Sequence, residues 1–220
     1  MSRSILPLAR HRIGTAILLI ALSSAIAPAQ TASTSPNPIF SDSAPVCSWE
    51  SLTNVTLLNT TIDSVVTNAD GSCRVTATVT HPPSGDRVRV FIALPMKGWN
   101  GRFEGTGGGG FSGGGPFGLG GPVRQGFVAG ATDTGHDGMS GSFGLDANGR
   151  LNWQAIADNA YLGIHEMTVV GKALTKTFYG KAPRYSYFVG FSTGGRQGLM
   201  EAQRYPEDYD GIVSGCPAIN

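Results

Sequence analysis

The segment "YFVGFSTGGRQGLMEAQRYP" constrains the fold of this chain more than any other stretch. Aromatic and β-branched residues at 184–190 predict a buried strand, and residues 195–207 predict a helix that is closed by Pro206. A G-x-S-x-G motif centred on Ser192 joins the two, so the strand must run into the helix through one tight turn. This arrangement is typical of a nucleophile elbow. The alternative is an ordinary strand-to-helix turn in which Ser192 caps the helix.

The same motif occurs a second time, as "GFSGG" around Ser112, in a different context. No strand leads directly into it and no helix formers follow it. Ten of the fifteen residues at 107–121 are glycine. Because each glycine costs a helix ~1 kcal/mol relative to alanine, we expect a loop here and exclude a helix. Such a loop of bare backbone either approaches a ligand closely or is a flexible surface segment.

An elbow serine that attacks a carbonyl needs two backbone N–H groups to hold the oxyanion. One belongs to the residue after the nucleophile, here Thr193, at the positive end of the following helix. The other comes from a glycine-rich loop after an earlier strand. The run at 107–121 occupies that place, and we assign the second donor to Gly109 or Gly110. Ser112 is then incidental.

The order of predicted elements indicates an α/β fold. Two alternating β-branched segments around the turn "HPPSGD" predict an antiparallel hairpin, and the strand–helix–strand–helix–strand order after it predicts a parallel sheet. The predicted strands are residues 73–80, 87–95, 101–107, 126–133, 184–190 and 209–215. A parallel sheet with a leading antiparallel hairpin fits an α/β-hydrolase.

A long helix is predicted between the strands at 126–133 and 184–190. Asn152 is a suitable N-cap, and Gly180 and Pro183 are stop signals. The apolar residues recur at intervals of three and four, which predicts one buried face. That face comprises Trp153, Ile156, Ala157, Ala160, Ile164, Met167, Val170 and Leu174.

A serine nucleophile needs an acidic residue and a histidine as partners. In an α/β-hydrolase both follow the serine in chain order, and this sequence does not show that order. No histidine follows Ser192, and the sequence ends 28 residues after it, at Asn220. We therefore expect a fragment, a truncated gene model or a remnant that is inactive alone. The last strands, which would carry the catalytic aspartate and histidine, are absent from this prediction.

The histidines after the N-terminal leader receive structural interpretations. His81 lies in the predicted hairpin turn and is expected to be solvated. His165, on the long helix, is expected to be a satisfied structural histidine. His136 follows a strand in "ATDTGHD", where active-site loops gather, yet its chain order favours a hydrogen-bonding role. A metal site formed with Asp133 and Asp137 is a weaker alternative, and no metal is predicted.

The first 29 residues predict a secretory signal peptide, because arginines flank an apolar run at 13–27 and an A-x-A site follows. The run is shorter than the ~20 residues that span a bilayer; an uncleaved anchor is the alternative. Residues 30–46 are predicted to form a loose segment, and residues 47–220 a partial α/β-hydrolase domain. Cleavage removes three arginines and changes the net charge from +1 to −2. Without a basic stripe, nucleic acid is excluded as a partner.

Three cysteines are present, at positions 47, 73 and 216, in a chain predicted to enter an oxidising compartment. One bond among three cysteines has three possible pairings. The short separation of Cys47 and Cys73, ahead of the catalytic core, favours that disulfide. Cys216 is then the odd cysteine, which requires either a free thiol or another partner.

Four segments resemble the tannase/feruloyl esterase family: "WNGRFEGTGGGGFSG", "GFVAGATDTGHD", "IHEMTVVGKALTKTFYG" and "YFVGFSTGGRQGLMEAQRYPEDYDGIVSGCPA". The resemblance runs from about Cys47 to the last residue, and "STGGRQGLMEAQRYP" is its most specific part. It implies a secreted serine esterase of the α/β-hydrolase fold that acts on esters of aromatic acids, such as gallate or ferulate. It places the nucleophile at Ser192 and the oxyanion donors at Thr193 and the Gly109/Gly110 loop.

The chain departs from the family pattern in two respects. Full-length members continue into a lid domain, which often carries a structural calcium, and then the catalytic Asp and His; the resemblance thus implies no cofactor within this chain. The family also usually has a cysteine before the nucleophile, bonded to a cysteine beside the catalytic histidine. Phe191 stands there instead, so that bond cannot form. Cys216 replaces a residue that is usually small.

These observations predict a secreted or periplasmic carboxylic ester hydrolase that forms a serine acyl-enzyme with a small aromatic ester. No membrane attachment is expected after signal cleavage, and the oligomeric state is not indicated. Two alternatives stay open. One is a non-catalytic remnant or a secreted protein that binds aromatic ligands, and the other is an α/β-hydrolase of a different substrate class, such as peptides.

Overall fold

The computed structural model describes residues 46–219, which form one seven-stranded sheet with helices packed on it. The strands are β1 (Thr60–Thr67), β2 (Ser72–Val79), β3 (Val88–Pro95), β4 (Arg102–Thr106), β5 (Val128–Thr132), β6 (Tyr185–Phe191) and β7 (Gly211–Gly215). Their order across the sheet is β1-β2-β3-β5-β4-β6-β7. All six predicted strands are present, and the α/β-hydrolase architecture is confirmed.

The first part of the sheet is antiparallel. Strands β2 and β3 form the predicted hairpin, with Ser72 opposite Pro95 and Val79 opposite Val88. Strand β1 pairs with β2 at the sheet edge and was not predicted, because most of its residues are polar and none is fully buried. The Thr78 hydroxyl donates to Asp63 of β1 at 2.6 Å. Cross-strand hydrogen bonding therefore stabilises a strand whose sequence does not alternate between apolar and polar residues.

The second part of the sheet is parallel, over β5-β4-β6-β7. β4 pairs with β5 on one side, where Gly105 lies opposite Gly130, and with β6 on the other, where Thr106 lies opposite Val189. Parallel strands of this kind end at a common edge, where the loops that follow them meet. The glycine-rich loop after β4 and the turn after β6 therefore lie side by side.

Five α-helices are described: α1 (Trp49–Leu52), α2 (Gly120–Arg124), α3 (Trp153–Ala157), α4 (Gly163–Tyr179) and α5 (Thr193–Arg204). A π-helical turn, Asp158–Leu162, links α3 to α4, so the predicted long helix is continuous over residues 153–179. Its ends are confirmed, since the Asn152 side chain accepts from the Ala155 N–H at 3.2 Å and Gly180 has a φ of 69°.

The prediction of which residues form the buried face of the long helix is confirmed for α4 and wrong for the first turns of the helix. Ile164, Met167, Val170 and Leu174 are buried, whereas Trp153 is 69% exposed. The π turn accounts for the difference, because its extra residue rotates the preceding turns about the helix axis. The residues it turns inward are polar, Asp158 and Asn159 among them.

Close packing of α4 on β4 relies on a glycine. A Cβ at Gly171 would lie 2.5 Å from Cε2 of Phe103, so only glycine allows the helix to approach this ring. Phe103, Met167 and Leu174 are fully buried at this contact. The main core lies here, between α4 and the sheet.

The exclusion of helix from the glycine-rich run is wrong at its C-terminal end. Residues Pro116–Leu119 form a 3-10 turn that leads into α2, which begins at Gly120. Proline is favourable at the first position of such a turn, and burial of Leu119 and Val123 offsets the low helix propensity of the glycines. The part of the run before Pro116 is a loop, as predicted.

The predicted Cys47–Cys73 disulfide is confirmed, with a Cα–Cα distance of 5.5 Å, and Cys216 is free and exposed. The predicted signal peptide and nearly all of the predicted loose segment lie outside the described residues. No helix within residues 46–219 has the length and apolar character needed to cross a membrane.

Candidate active site

Ser192 stands at the turn between β6 and α5 in a strained backbone conformation. Its φ is 57° and its ψ is −117°, a combination that costs a non-glycine residue about 1–3 kcal/mol. Three backbone hydrogen bonds hold it: its N–H donates to Gly215 at 3.0 Å, and its carbonyl accepts from Arg196 at 3.0 Å and Ala218 at 3.1 Å. The turn thus has the geometry expected of an elbow, a sharp strand-to-helix junction fixed from both sides.

The serine side chain is not used to cap the helix. Ser192 occupies the N-cap position of α5, yet its hydroxyl makes no capping hydrogen bond. An ordinary N-cap serine accepts from an N–H of the first helical turn. The geometry therefore disfavours the capping alternative and leaves the hydroxyl available at the positive end of the helix.

Glycines allow the elbow and the glycine-rich loop to touch through their backbones. A Cβ at Gly190 would lie 2.3 Å from the Gly194 carbonyl oxygen, and a Cβ at Gly107 would lie 2.4 Å from the Gly194 Cα. Contacts this short exclude any side chain at these positions. The loop after β4 is accordingly pressed against the first turn of α5.

Hydrogen bonds fix the loop beside Ser192. The Gly194 N–H donates to the Gly108 carbonyl at 3.0 Å, and the Thr193 hydroxyl donates to the Gly110 carbonyl. Thr193 is the first residue of α5, so its own N–H has no intrahelical acceptor. Gly109 lies between the two anchored carbonyls and faces open space. The predicted oxyanion donors are thus brought together, and their role remains a prediction.

Gln197 holds the glycine-rich loop against α5, a role that was not predicted from the sequence. It is 1% exposed; its side-chain oxygen accepts from the Gly108 N–H at 3.0 Å and its amide donates to the Gly113 carbonyl at 3.1 Å. Both ends of the glycine-rich loop are therefore tied to α5. The available signal was its position four residues after Thr193, on the same face of the helix.

A second set of side chains holds the carbonyl of Phe111. His136 Nε2 donates to it at 2.7 Å, and the Asn159 amide donates at 3.1 Å. The Arg196 guanidinium donates to the Asn159 side chain at 3.2 Å, which connects the loop to α5. His136 therefore has the hydrogen-bonding role predicted for it. The loop is anchored along its length, which contradicts the alternative of a flexible surface segment.

Phe191 is 62% exposed and its ring lies over Gly215, where an added Cβ would be 2.1 Å from Cδ1 of the ring. A phenylalanine before Ser192 is compatible with this fold because position 215 is glycine. Cys216 follows directly, with a φ of 43°. The structure shows no disulfide at Cys216 or any bond from it to the elbow.

The expectation for His81 needs a correction, and the metal-site alternative is contradicted. His81 is only partly exposed, because carboxylates contact its ring on both sides: Nδ1 lies 2.6 Å from Asp86 Oδ2, and Nε2 is bonded to Glu166. Asp133, His136 and Asp137 do not form a metal site. Arg89 forms ion pairs with both aspartates, and His136 donates a hydrogen bond to the Phe111 carbonyl. An arginine from the neighbouring strand supplies the positive charge that a metal would have supplied.

His165 is partnered as predicted. Its Nδ1 lies 2.6 Å from Asp208 Oδ2 and its ring stacks on Tyr205 at 3.9 Å. None of the three histidines in residues 46–219 is bonded to Ser192.

An apolar cleft of about 370 Å³ adjoins the loop and α5. Phe111 and Phe143 meet there edge to face at 6.3 Å between ring centroids. Leu145, Leu151, Ile156 and Arg196 also line the cleft. A cleft of this size and character suits a planar apolar group.

The chain is similar to known proteins over most of the described residues. The family described as tannase and feruloyl esterase matches residues 73–220. A probable feruloyl esterase from Arthroderma benhamiae is 43% identical over 166 residues, which cover 73% of this chain and 29% of that protein. A tannase from Aspergillus oryzae is 40% identical over 154 residues, which cover 67% of this chain and 26% of that protein.

Solved structures give the same result. A tannin acyl hydrolase from Aspergillus niger superposes with a TM-score of 0.67 at 31% identity, covering 79% of this chain and 37% of that one. Feruloyl esterase B from Aspergillus oryzae also gives 0.67 at 31% identity, with 77% and 37% covered. The chain spans less than a third of the length of the curated relatives named above.

Proposed function

Because this chain belongs to the tannase and feruloyl esterase family, we propose that it takes part in the hydrolysis of esters of aromatic acids, with Ser192 as the nucleophile. The observation that carries the proposal is the strained elbow, which places an uncapped serine hydroxyl at the N-terminus of α5. Strain of this kind persists only where the surrounding structure enforces it, and it is concentrated at functional sites.

In the proposed reaction the Ser192 Oγ attacks the ester carbonyl and its proton passes to a histidine base. The carbonyl oxygen becomes an oxyanion that accepts hydrogen bonds from the N–H groups of Thr193 and of Gly109 or Gly110. Collapse releases the alcohol, which takes the proton, and leaves an acyl-enzyme on Ser192 that water then hydrolyses. The base and its orienting acid would come from outside this sequence, as the family pattern implies.

The aromatic acid is assigned from two sources. The relatives are named for feruloyl and tannin esters, and the cleft beside the loop presents Phe111 and Phe143. We assign the substrate's aromatic ring to this cleft, where ring stacking adds to apolar burial. The chemistry needs no cofactor from this chain.

We assign the protein to an extracellular or periplasmic location. The Cys47–Cys73 disulfide supports this assignment, since such bonds persist in oxidising compartments. The predicted signal peptide at residues 1–29 supports it as well.

The test compares Ser192→Ala with Ser112→Ala, because both serines stand in a G-x-S-x-G motif. Each substitution is made in the product of the complete gene, and kcat/KM is measured with methyl ferulate, methyl gallate and an aliphatic ester. Ser192→Ala should lower kcat/KM by at least ~10³-fold, and Ser112→Ala should change it little. Loss of activity in the second variant alone would overturn the assignment. An inactive wild-type protein would indicate a non-catalytic remnant.

A further inference from the structure

Four ionisable side chains meet away from the elbow and form what we call the His81 cluster: His81, Asp86, Asp158 and Glu166. His81 Nδ1 lies 2.6 Å from Asp86 Oδ2 and 3.5 Å from Asp158 Oδ1, and its Nε2 is bonded to Glu166. One ligand atom each from His81, Asp86 and Asp158 lies within 4.8 Å of the others. None of the four belongs to the elbow or the oxyanion loop.

The cluster is short of positive charge. Three carboxylates surround one imidazole, so its net charge is −2 when all four groups are ionised. The other hydrogen bonds to these carboxylates come from neutral donors, namely the His81 N–H, the Ser84 hydroxyl and the Gln154 amide.

Two carboxylate oxygens in the cluster have no partner. Asp158 is 1% exposed, and its Oδ2 is buried without a hydrogen bond within the described residues. Glu166 Oε2 is in the same state. A buried carboxylate oxygen left unpaired is costly, and a bound cation is one of the few groups that can satisfy it. The π turn that begins at Asp158 points this side chain inward.

We propose that the His81 cluster binds a divalent metal ion, with His81 Nδ1, Asp86 and Asp158 as ligands. Glu166 completes the site by accepting the N–H of His81 Nε2. A metal-bound histidine almost always donates its other ring N–H to an oxygen acceptor, which fixes the tautomer and the orientation of the ring. The contact between His81 Nε2 and Glu166 already provides this arrangement.

The donor set indicates the class of ion. One imidazole nitrogen with carboxylate oxygens favours a first-row transition ion such as Mn²⁺ or Zn²⁺ over Ca²⁺, which prefers six to eight oxygens. The site is independent of ester hydrolysis, because it uses no residue assigned to that reaction.

The experiment measures metal stoichiometry in the full chain after chelator treatment and dialysis. Free Mn²⁺ is followed by electron paramagnetic resonance, and Zn²⁺ binding by titration calorimetry. Asp158→Asn should bind one equivalent fewer than the wild type, and Glu166→Gln should weaken that equivalent by about 10- to 100-fold. His165→Gln is the matched control, since His165 forms a similar histidine–carboxylate pair without a third ligand; it should bind as the wild type does.

Circular dichroism and thermal unfolding in excess chelator establish that each variant is folded. If Asp158→Asn is folded and loses one equivalent while His165→Gln does not, the proposal holds. If the wild type binds neither ion, or if folded Asp158→Asn retains every equivalent, the proposal is overturned and the cluster is a proton-bridged ion-pair network. A variant that does not fold is replaced by His81→Gln, to which the same two outcomes apply.

Discussion

At the scale of single residues, the two serine motifs differ in what surrounds them rather than in their own sequence. The Ser192 backbone is strained and held by three hydrogen bonds, and its hydroxyl does not cap the helix. Ser112 lies in a loop, where its N–H donates to the Gly109 carbonyl. The strain is tolerated because positions 190 and 194 have no side chains to obstruct it. The motif therefore acts through backbone contacts that only glycine permits.

Glu201, on α5, makes stability dependent on pH. It is fully buried, and within residues 46–219 neither of its carboxylate oxygens has a hydrogen-bond partner. Burial, together with the charge of Asp208, raises its pKa to about 8. The folded state then keeps a proton that the unfolded state loses above its ordinary value near 4.5. Stability should therefore fall as pH rises from about 4.5 to about 8, and be fully present below that window.

Glu201→Gln should remove that pH dependence, because an amide does not ionise. At pH 8 we expect the variant to be more stable than the wild type by on the order of a few kcal/mol, with little difference near pH 4.5. Urea unfolding across this range measures it. Glu207→Gln, at an exposed position nearby, is the control and should leave the slope unchanged. Equal slopes in wild type and Glu201→Gln would contradict the prediction.

At the scale of elements, the candidate site is a junction between the loop after β4 and the start of α5. Gln197 joins them by pairing a loop N–H and a loop carbonyl from a buried position. His136 and Asn159 both donate to the Phe111 carbonyl in the middle of the loop. Few apolar contacts are available to a run of glycines, so polar side chains from neighbouring segments give it one conformation.

Gln197→Met should destabilise the protein and weaken catalysis. The substitution keeps the side-chain length but leaves two backbone groups without partners, at a cost of about 2–5 kcal/mol. In the active protein kcat should fall more than KM rises, because the loop donor acts in the transition state. Gln203→Met, on the exposed part of α5, is the matched control. A change in KM alone would show that the loop only binds substrate.

The disulfide ties the segment before β1 to β2. Its cysteines are 26 residues apart, so in the loop-entropy model the bond contributes about 3.5 kcal/mol to stability. Cys47→Ala with Cys73→Ala should lower the free energy of unfolding by about that amount, measured in urea. Cys216→Ala removes a free, exposed thiol and should change it little. An equal loss in both proteins would contradict the assignment.

At the scale of the whole molecule, residues 46–219 bring the proposed nucleophile and the proposed oxyanion donors together, and none of the histidines in this range is bonded to Ser192. His81, His136 and His165 are each committed to other partners, and no histidine follows Ser192 in this sequence. The parallel sheet nonetheless brings the elbow and the oxyanion loop to one edge. Under the proposed function, the elements up to β7 therefore position the groups that stabilise the oxyanion, and proton transfer depends on other groups.

The 220-residue polypeptide alone should therefore show no Ser192-dependent turnover. None of the histidines in residues 46–219 is bonded to Ser192, so under the proposed function these residues supply only oxyanion stabilisation and binding, which give at most ~10³–10⁴-fold over the uncatalysed rate. Methyl ferulate, methyl gallate and a p-nitrophenyl ester are the substrates, with Ser192→Ala as the background and circular dichroism to confirm folding. Turnover that Ser192→Ala abolishes would mean that a described group serves as the base.

Local periodicity and turn chemistry in the sequence were enough to predict the elements that they control. These include the hairpin, the parallel strands, the caps of the long helix and the elbow around Ser192, because each depends on neighbours close in the chain. It also favoured the Cys47–Cys73 pair from sequence separation alone. Strand β1 escaped prediction because pairing with β2, rather than its own alternation, makes it a strand.

The polar side-chain contacts between residues far apart in the chain could be identified only from the three-dimensional structure. Gln197 and Gly108 are 89 residues apart, and His81 and Glu166 are 85 apart, so no local pattern connects them. The same holds for Arg89, which forms ion pairs with Asp133 and Asp137 from 44 and 48 residues away. Burial of a polar side chain is stable only when a partner meets it in space, and the sheet topology determines which partners can meet.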